Sequence, residues 1–291
     1  MSISVLSGLR DIADRYDGFI LDLWGVVHDG VAPYPGAADS LARLRDLGKR
    51  TVMLSNAPRR AFVLVEMMES MGISRDLYGA VMSSGEAVHL EFARRTDPWF
   101  AALGERCLHI GSAADSIIFE GLSLQRVEDV ADADFVMNTG PDGFIETMDR
   151  YIPLLDAAAA RRLPMVCANP DLAVMRRGRR YVCAGALAQY YQTKGCEVRY
   201  RGKPDPAIYQ VCLDLLGNPA RARVLAVGDA LHTDIAGADG VGIDSLFCTG
   251  GIHGAELGAH YGERPDPERV EALIAAHGGL RPTAAIGGLV W

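Results

Sequence analysis

No stretch of this sequence is long and apolar enough to cross a bilayer, because charged residues interrupt every candidate. Residues 1–18, MSISVLSGLRDIADRYDG, lack a basic region followed by an apolar core, so no signal peptide is expected. The six cysteines (Cys107, Cys167, Cys183, Cys196, Cys212 and Cys248) form no CxxC pair. Most sit in apolar surroundings and read as reduced core thiols, which points to the cytoplasm. His89, His109, His232 and His253 match no familiar zinc-ligand spacing. There is no internal repeat and no low-complexity linker. Excess positive charge is also missing: the net charge of -8 argues against a nucleic-acid backbone as the main partner. What remains is the profile of a soluble globular protein, 49% hydrophobic and 23% charged, and 291 residues suffice for two domains or one elaborated domain.

Three apolar runs share one layout. FILDLWG (19–25), TVMLSNA (51–57) and RVLAVGDA (223–230) each read as a buried strand ending in a small or acidic polar residue. Near-continuous apolar runs suit a parallel sheet covered on both faces. AADSLARLRDLGK (37–49) and APRRAFVLVEMMESMG (57–72) carry helical patterns that stop near Gly48 and Gly72. Alternating strands and helices predict an α/β doubly wound sheet, in which ligands bind at the carboxyl ends of the strands. Asp22, Ser55 and Asp229 fall at such ends and are expected to converge. The middle of the chain repeats the alternation in CLHIGS, DFVMNTG and PMVCANPD, and is long enough to be a separate inserted domain. The expected division is 1–79 and 200–291 for the core and 80–199 for the insert. The tail RPTAAIGGLVW reads as a loose end or a short docking strand.

Four places carry candidate chemistry. In GDALHTDIAGA (228–238), Asp229 and Asp234 form a hard-oxygen pair suited to magnesium; alternatively, Asp229 starts a turn and Asp234 caps the next helix. In RGKPDPAIY (201–209), Lys203 precedes a helix start, where it can neutralise a phosphate or a carboxylate nucleophile, or simply be solvated. In VMLSNAPR (52–59), Ser55 and Asn56 can hydrogen-bond phosphoryl oxygens, or form a turn. Asp22 ends the first strand.

Taken in order, strand-end Asp, strand-end Ser, lysine and acidic loop, these residues closely resemble the four motifs of the haloacid dehalogenase superfamily. DLWGVVHDG, LSNAPR, GKP and GDALHTD match them in turn, with further agreement in PGAADSLARLRDLG, CANPD and GIDSLFCTGG. The likeness covers nearly the whole chain and is greatest to the subgroup with a large α/β cap between the second and third motifs, subfamily IIA, which includes phosphatases. The resemblance implies a Rossmann-like doubly wound parallel-sheet core with an inserted α/β cap domain. It also implies a magnesium-dependent phosphatase acting on a small phosphorylated metabolite. Asp22 would be the nucleophile and form an aspartyl-phosphate. Mg²⁺ would bind Asp22, the backbone carbonyl of Trp24 and Asp229, with Asp234 in support. Ser55 and the Asn56 backbone would hold the phosphoryl oxygens, and Lys203 would offset charge.

One position departs from that pattern. The family's phosphatases carry a second aspartate two residues after the nucleophile, as proton donor and water activator; here stands Trp24, whose indole cannot exchange a proton near neutral pH. Loss of a general acid costs roughly a hundredfold to ten-thousandfold. Four readings follow. Asp29 or His28 supplies the proton, although HDG also reads as a plain turn. The leaving group is good enough to need no acid, as in acyl phosphates. The bond broken is not a phosphate ester. Or the scaffold binds a phosphorylated ligand without turnover.

In the insert, Asn169 and Asp171 would face substrate in the loop CANPD. Arg176, Arg177, Arg179 and Arg180 read as a basic cluster for an acidic leaving group or as a solvated hairpin with Gly178 at its tip. AGALAQYY (184–191) is helical in pattern and could offer a packing face for substrate or for a second subunit, and the resemblance implies a homodimer through the cap.

Overall fold

The computed structural model describes residues 3–176 and 179–291. In chain order the strands are β1 (Gly18–Asp22), β2 (Arg50–Ser55), β3 (Ala80–Ser83), β4 (Arg106–Ile110), β5 (Gln125–Val127) and β6 (Phe135–Asn138). Then follow β7 (Met165–Cys167), β8 (Ala173–Arg176), β9 (Arg179–Val182), β10 (Val198–Tyr200), β11 (Val224–Gly228), β12 (Asp244–Cys248) and β13 (Ala284–Ile286). The chain divides into two compact units. The first comprises the chain through Ser55, Leu64–Met82 and Lys203–Trp291; the second comprises Asn56–Val63 and Ser83–Gly202.

The first unit is built on a six-stranded sheet in the order β13-β12-β11-β1-β2-β3. β1, at its centre, pairs in parallel with β11 on one side and β2 on the other. All five residues of β1 and of β11 are buried, as expected for strands covered on both faces. One face carries a cluster of Leu231, Ile235, Phe247, Val270, Leu273 and Ala285. The C-terminal tail is the docking strand of the two alternatives: β13 pairs in parallel with β12, and Val5 bridges to Ala285 on its far side.

The second unit has its own parallel sheet in the order β10-β7-β6-β4-β5, with β8 and β9 as a separate antiparallel hairpin. Alternate residues of the sheet serve opposite faces. Val136 and Met165 pack with Leu155, Leu187 and Tyr191, whereas Phe135, Met137 and Val166 pack with Val88, Phe92 and Phe100. The junctions fall at Met82/Ser83 and Gly202/Lys203, a few residues later than the sequence division, because β3 completes the first sheet. Asn56–Val63 belongs to the second unit through side-chain bonds: Asn56 to Asp171 at 2.7 Å, and Arg60 to Glu86 at 2.7 Å.

The segment AGALAQYY needs correction. It lies in the helix Ala184–Thr193, which buries Ala184, Leu187, Ala188 and Tyr191 against its own sheet. Its apolar side is core, not a face for substrate or a second subunit. Arg176 and Arg179 are partners across the β8–β9 hairpin; Arg177 and Gly178 lie outside the described residues. Arg179 is paired with Glu146, and the Arg176 guanidinium lies 4.2 Å from the centre of the Phe144 ring.

Candidate active site

Register brings the candidate groups of the first unit together. Asp22 is level with Leu54 on β2, and Leu21 with Val227 on β11. The carboxyl ends of three adjacent strands therefore present Asp22, Ser55 and Asp229 side by side, at the edge where parallel α/β sheets bind ligands. Lys203, which precedes the helix Pro206–Leu215, reaches into this group. Its Nζ donates to Asp22 Oδ1 at 2.6 Å and to Asp234 Oδ1 at 2.7 Å. It is only 3% exposed, so the solvated-lysine alternative fails.

Asp234 does not cap a helix. It sits inside the π-helical turn Leu231–Ile235, where its Oδ2 accepts from the Ala230 N–H at 3.2 Å. The Tyr209 hydroxyl donates to the Asp234 carbonyl at 3.0 Å and so braces the turn. One carboxylate oxygen each from Asp22, Asp229 and Asp234 lies within 4.8 Å of the others, and all three side chains are buried. With all three ionised, as a bound cation would make them, three carboxylates and one ammonium leave two negative charges, which matches a divalent cation bound by hard oxygens.

Burial, then the charges of Asp22 and Asp234, push the Asp229 carboxyl well above the ordinary carboxylate range; the Ile252 N–H and Lys203 act in the opposite sense. The Ile252 N–H donates to Asp229 Oδ2 at 2.7 Å. This bond comes from the turn after β12, from the residue that follows GIDSLFCTGG (242–251), and the sequence reading did not assign it. Close approach fixes a further residue that the sequence reading missed. Gly25 has φ +88°, and a Cβ there would stand 1.9 Å from Asp229 Oδ2.

The loop after β1 is tightly wound. Val27 and His28 N–H both donate to the Leu23 carbonyl, and Gly25 N–H donates to that of His28. The Trp24 ring meets the edge of the His28 ring, with centroids 5.8 Å apart. His28 is buried, which lowers its pKa to about 4, and its Nδ1 accepts from the Gly30 N–H at 3.0 Å. It is a neutral imidazole near neutral pH, not a protonated acid. Asp29 Oδ1 accepts from Val31 and Ala32 N–H at 2.8 Å each, so the HDG turn is real and engages that carboxylate.

The second unit assembles three other predicted residues. Asn56 Nδ2 donates to Asp171 Oδ1 at 2.7 Å, and the Asp171 N–H donates to Asn169 Oδ1 at 3.0 Å. The structure thus collects Asp22, Ser55, Lys203, Asp229 and Asp234 in one unit, and Asn56, Asn169 and Asp171 in the other.

Comparison with known proteins agrees with this geometry. A family model described as haloacid dehalogenase-like hydrolase matches residues 19–125, and a related HAD-hydrolase-like model matches 200–276. A crystal structure of a hydrolase of the haloacid dehalogenase-like family from Brucella suis 1330 has 32% sequence identity and a TM-score of 0.82. It covers 97% of this chain, which covers 99% of it. The D-glycerol 3-phosphate phosphatase of Mycobacterium tuberculosis is 29% identical over 85% of this chain and 67% of its own length. The structure of a glycerol phosphate phosphatase from that organism, in complex with calcium, has 27% identity and a TM-score of 0.63 over 89% of this chain and 76% of that one. The chain belongs to the haloacid dehalogenase-like hydrolase family. It is a hydrolase with a metal-dependent family's fold and acidic cluster. No helix among the described residues is long and apolar enough to cross a membrane.

Proposed function

We propose that this hydrolase is a magnesium-dependent phosphatase that acts on a small phosphorylated metabolite through an aspartyl-phosphate on Asp22. The observation that carries this reading is the Lys203 ammonium shared by Asp22 and Asp234, with Asp229 beside them. Asp22 attacks phosphorus and the leaving oxygen departs. Ser55 and the Asn56 backbone hold phosphoryl oxygens, and Lys203 offsets the charge gathered around Asp22. Asp22, Asp229, Asp234 and the Trp24 carbonyl would hold the cation, and their hard-oxygen chemistry suits Mg²⁺. When bound, it neutralises phosphoryl charge. Asn169 and Asp171 contribute to substrate selection from the inserted unit.

Trp24 narrows the substrate. With no carboxylate at that position, His28 neutral and Asp29 engaged in its turn, leaving groups that depart without a proton are favoured, acyl phosphates among them. The six buried unpaired thiols suit a reducing, cytoplasmic setting. The family resemblance adds a homodimer through the inserted unit, which sedimentation would check.

The test is hydrolysis of acetyl phosphate and para-nitrophenyl phosphate with and without magnesium, in wild type and Asp22→Asn. Magnesium-dependent turnover that favours acetyl phosphate and is lost in the variant supports the reading. A second reading, ligand binding without turnover, is favoured by Trp24 alone. It would be supported by tight phosphate binding with neither compound hydrolysed.

A further inference from the structure

Away from the carboxylate cluster, the first unit gathers a second set of ligating side chains that sequence spacing did not reveal. His253 precedes the short helix Gly254–Leu257, Glu256 lies within it, and His277 follows the helix Pro267–Ala276. One nitrogen of each imidazole and one oxygen of Glu256 lie within 4.8 Å of one another. The two rings stand 4.9 Å apart at 75°, edge to face.

The protonation pattern of these rings suits a cation. His277 Nδ1 is 2.9 Å from the Leu273 carbonyl, which fixes the proton on Nδ1 and leaves the Nε2 lone pair free for a ligand. His253 Nδ1 is 3.3 Å from Glu256 Oε2, so the two side chains already face one another. His253 is 7% exposed, yet its Nε2 has no hydrogen-bond partner among the described residues. A buried polar nitrogen with nothing to bond needs a reason.

We propose that His253, Glu256 and His277 form a second metal centre, for a borderline transition-metal dication such as zinc. Two imidazoles and a carboxylate favour zinc, cobalt or nickel over magnesium, whereas the all-carboxylate cluster favours the hard cation. The two centres therefore differ in the ions they select. Ligands of a tetrahedral zinc stand roughly 3.4 Å apart, so small side-chain rotations draw this group into range. Such an ion fastens the helix Gly254–Leu257 to the end of Pro267–Ala276. It also steadies the turn whose Ile252 N–H holds Asp229, one residue before His253.

The test is zinc calorimetry on the full chain in excess magnesium, with wild type, His277→Ala, Glu256→Gln and Asp229→Asn. Wild type and Asp229→Asn are expected to bind one zinc with matching affinity. His277→Ala should bind at least about tenfold more weakly, and Glu256→Gln should fall between. His277 and Glu256 are exposed, so these variants keep the fold, which an unfolding midpoint in chelator verifies. Equal binding by wild type and His277→Ala, loss of binding in Asp229→Asn, or no binding by wild type would each overturn the proposal.

Discussion

Lys203 Nζ lies 2.6 Å from Asp22 Oδ1, in a contact that joins residues 181 positions apart and almost wholly removed from water. An ammonium placed there compensates the nucleophile before substrate arrives. It compensates Asp234 as well, at 2.7 Å.

Removing the lysine leaves two buried carboxylates without their cation. Lys203→Met is expected to lose at least about a hundredfold in turnover. It should also destabilise the chain by ~3–5 kcal/mol, the usual cost of breaking a buried pair. Denaturant unfolding and acetyl phosphate hydrolysis measure the two effects separately.

The Asp229 carboxylate is opposed by burial and by the charges of its neighbours. Asp229→Asn is therefore expected to raise the unfolding midpoint in chelator while abolishing stabilisation by magnesium. In wild type, magnesium at a hundred times its dissociation constant should add about 2.7 kcal/mol. Thermal unfolding against magnesium concentration checks both.

Trp24→Asp restores a carboxylate where a proton donor would stand. The rate of aspartyl-phosphate formation from para-nitrophenyl phosphate should rise at least about tenfold relative to that from acetyl phosphate, since general acid–base catalysis is worth 10²–10⁴-fold and in that step only the poorer leaving group needs it. The comparison is made on the ratio of rates, which cancels any change in the fraction folded.

Gly25→Ala should abolish both magnesium binding and turnover. Its positive φ costs a side chain about 1–2 kcal/mol, and the added Cβ would displace the Asp229 carboxylate. Magnesium-dependent unfolding of this variant should resemble that of Asp229→Asn in having no metal response.

Acid should weaken the fold through His109. Burial lowers its pKa to about 4, and its Nε2 lies 2.9 Å from Thr139 Oγ1. Between about pH 6.5 and 4 the unfolded chain protonates this imidazole while the folded chain leaves it neutral, so stability falls as pH falls through that window. His109→Gln should flatten that part of the stability profile.

The buried strands and their polar ends were legible because a parallel sheet covered on both faces demands continuous apolar runs. Asp22, Ser55 and Asp229 were therefore visible as strand ends, whereas Lys203 stood out only through the family's order of motifs. Other features were hidden for physical reasons. The Ile252 contact with Asp229 uses a backbone N–H, which carries no residue signature. AGALAQYY suits an exposed interface as well as a core face, since small residues and tyrosines serve both; only its packing against Leu155 and Met165 decides. His277 meets His253 through the packing of two short helices, so spacing along the chain could not find the pair. Asn56 and Arg60 join the second unit through side-chain bonds that no periodicity encodes.

The most direct measurement is chemical trapping at Asp22. Without a carboxylate at position 24 to activate water, an aspartyl-phosphate should form from acetyl phosphate faster than it is hydrolysed. Quenching with borohydride during turnover with magnesium should convert Asp22 to homoserine, seen by mass spectrometry of its peptide. Phosphate release with Asp22 unmodified, or the modification at another carboxylate, would contradict the account.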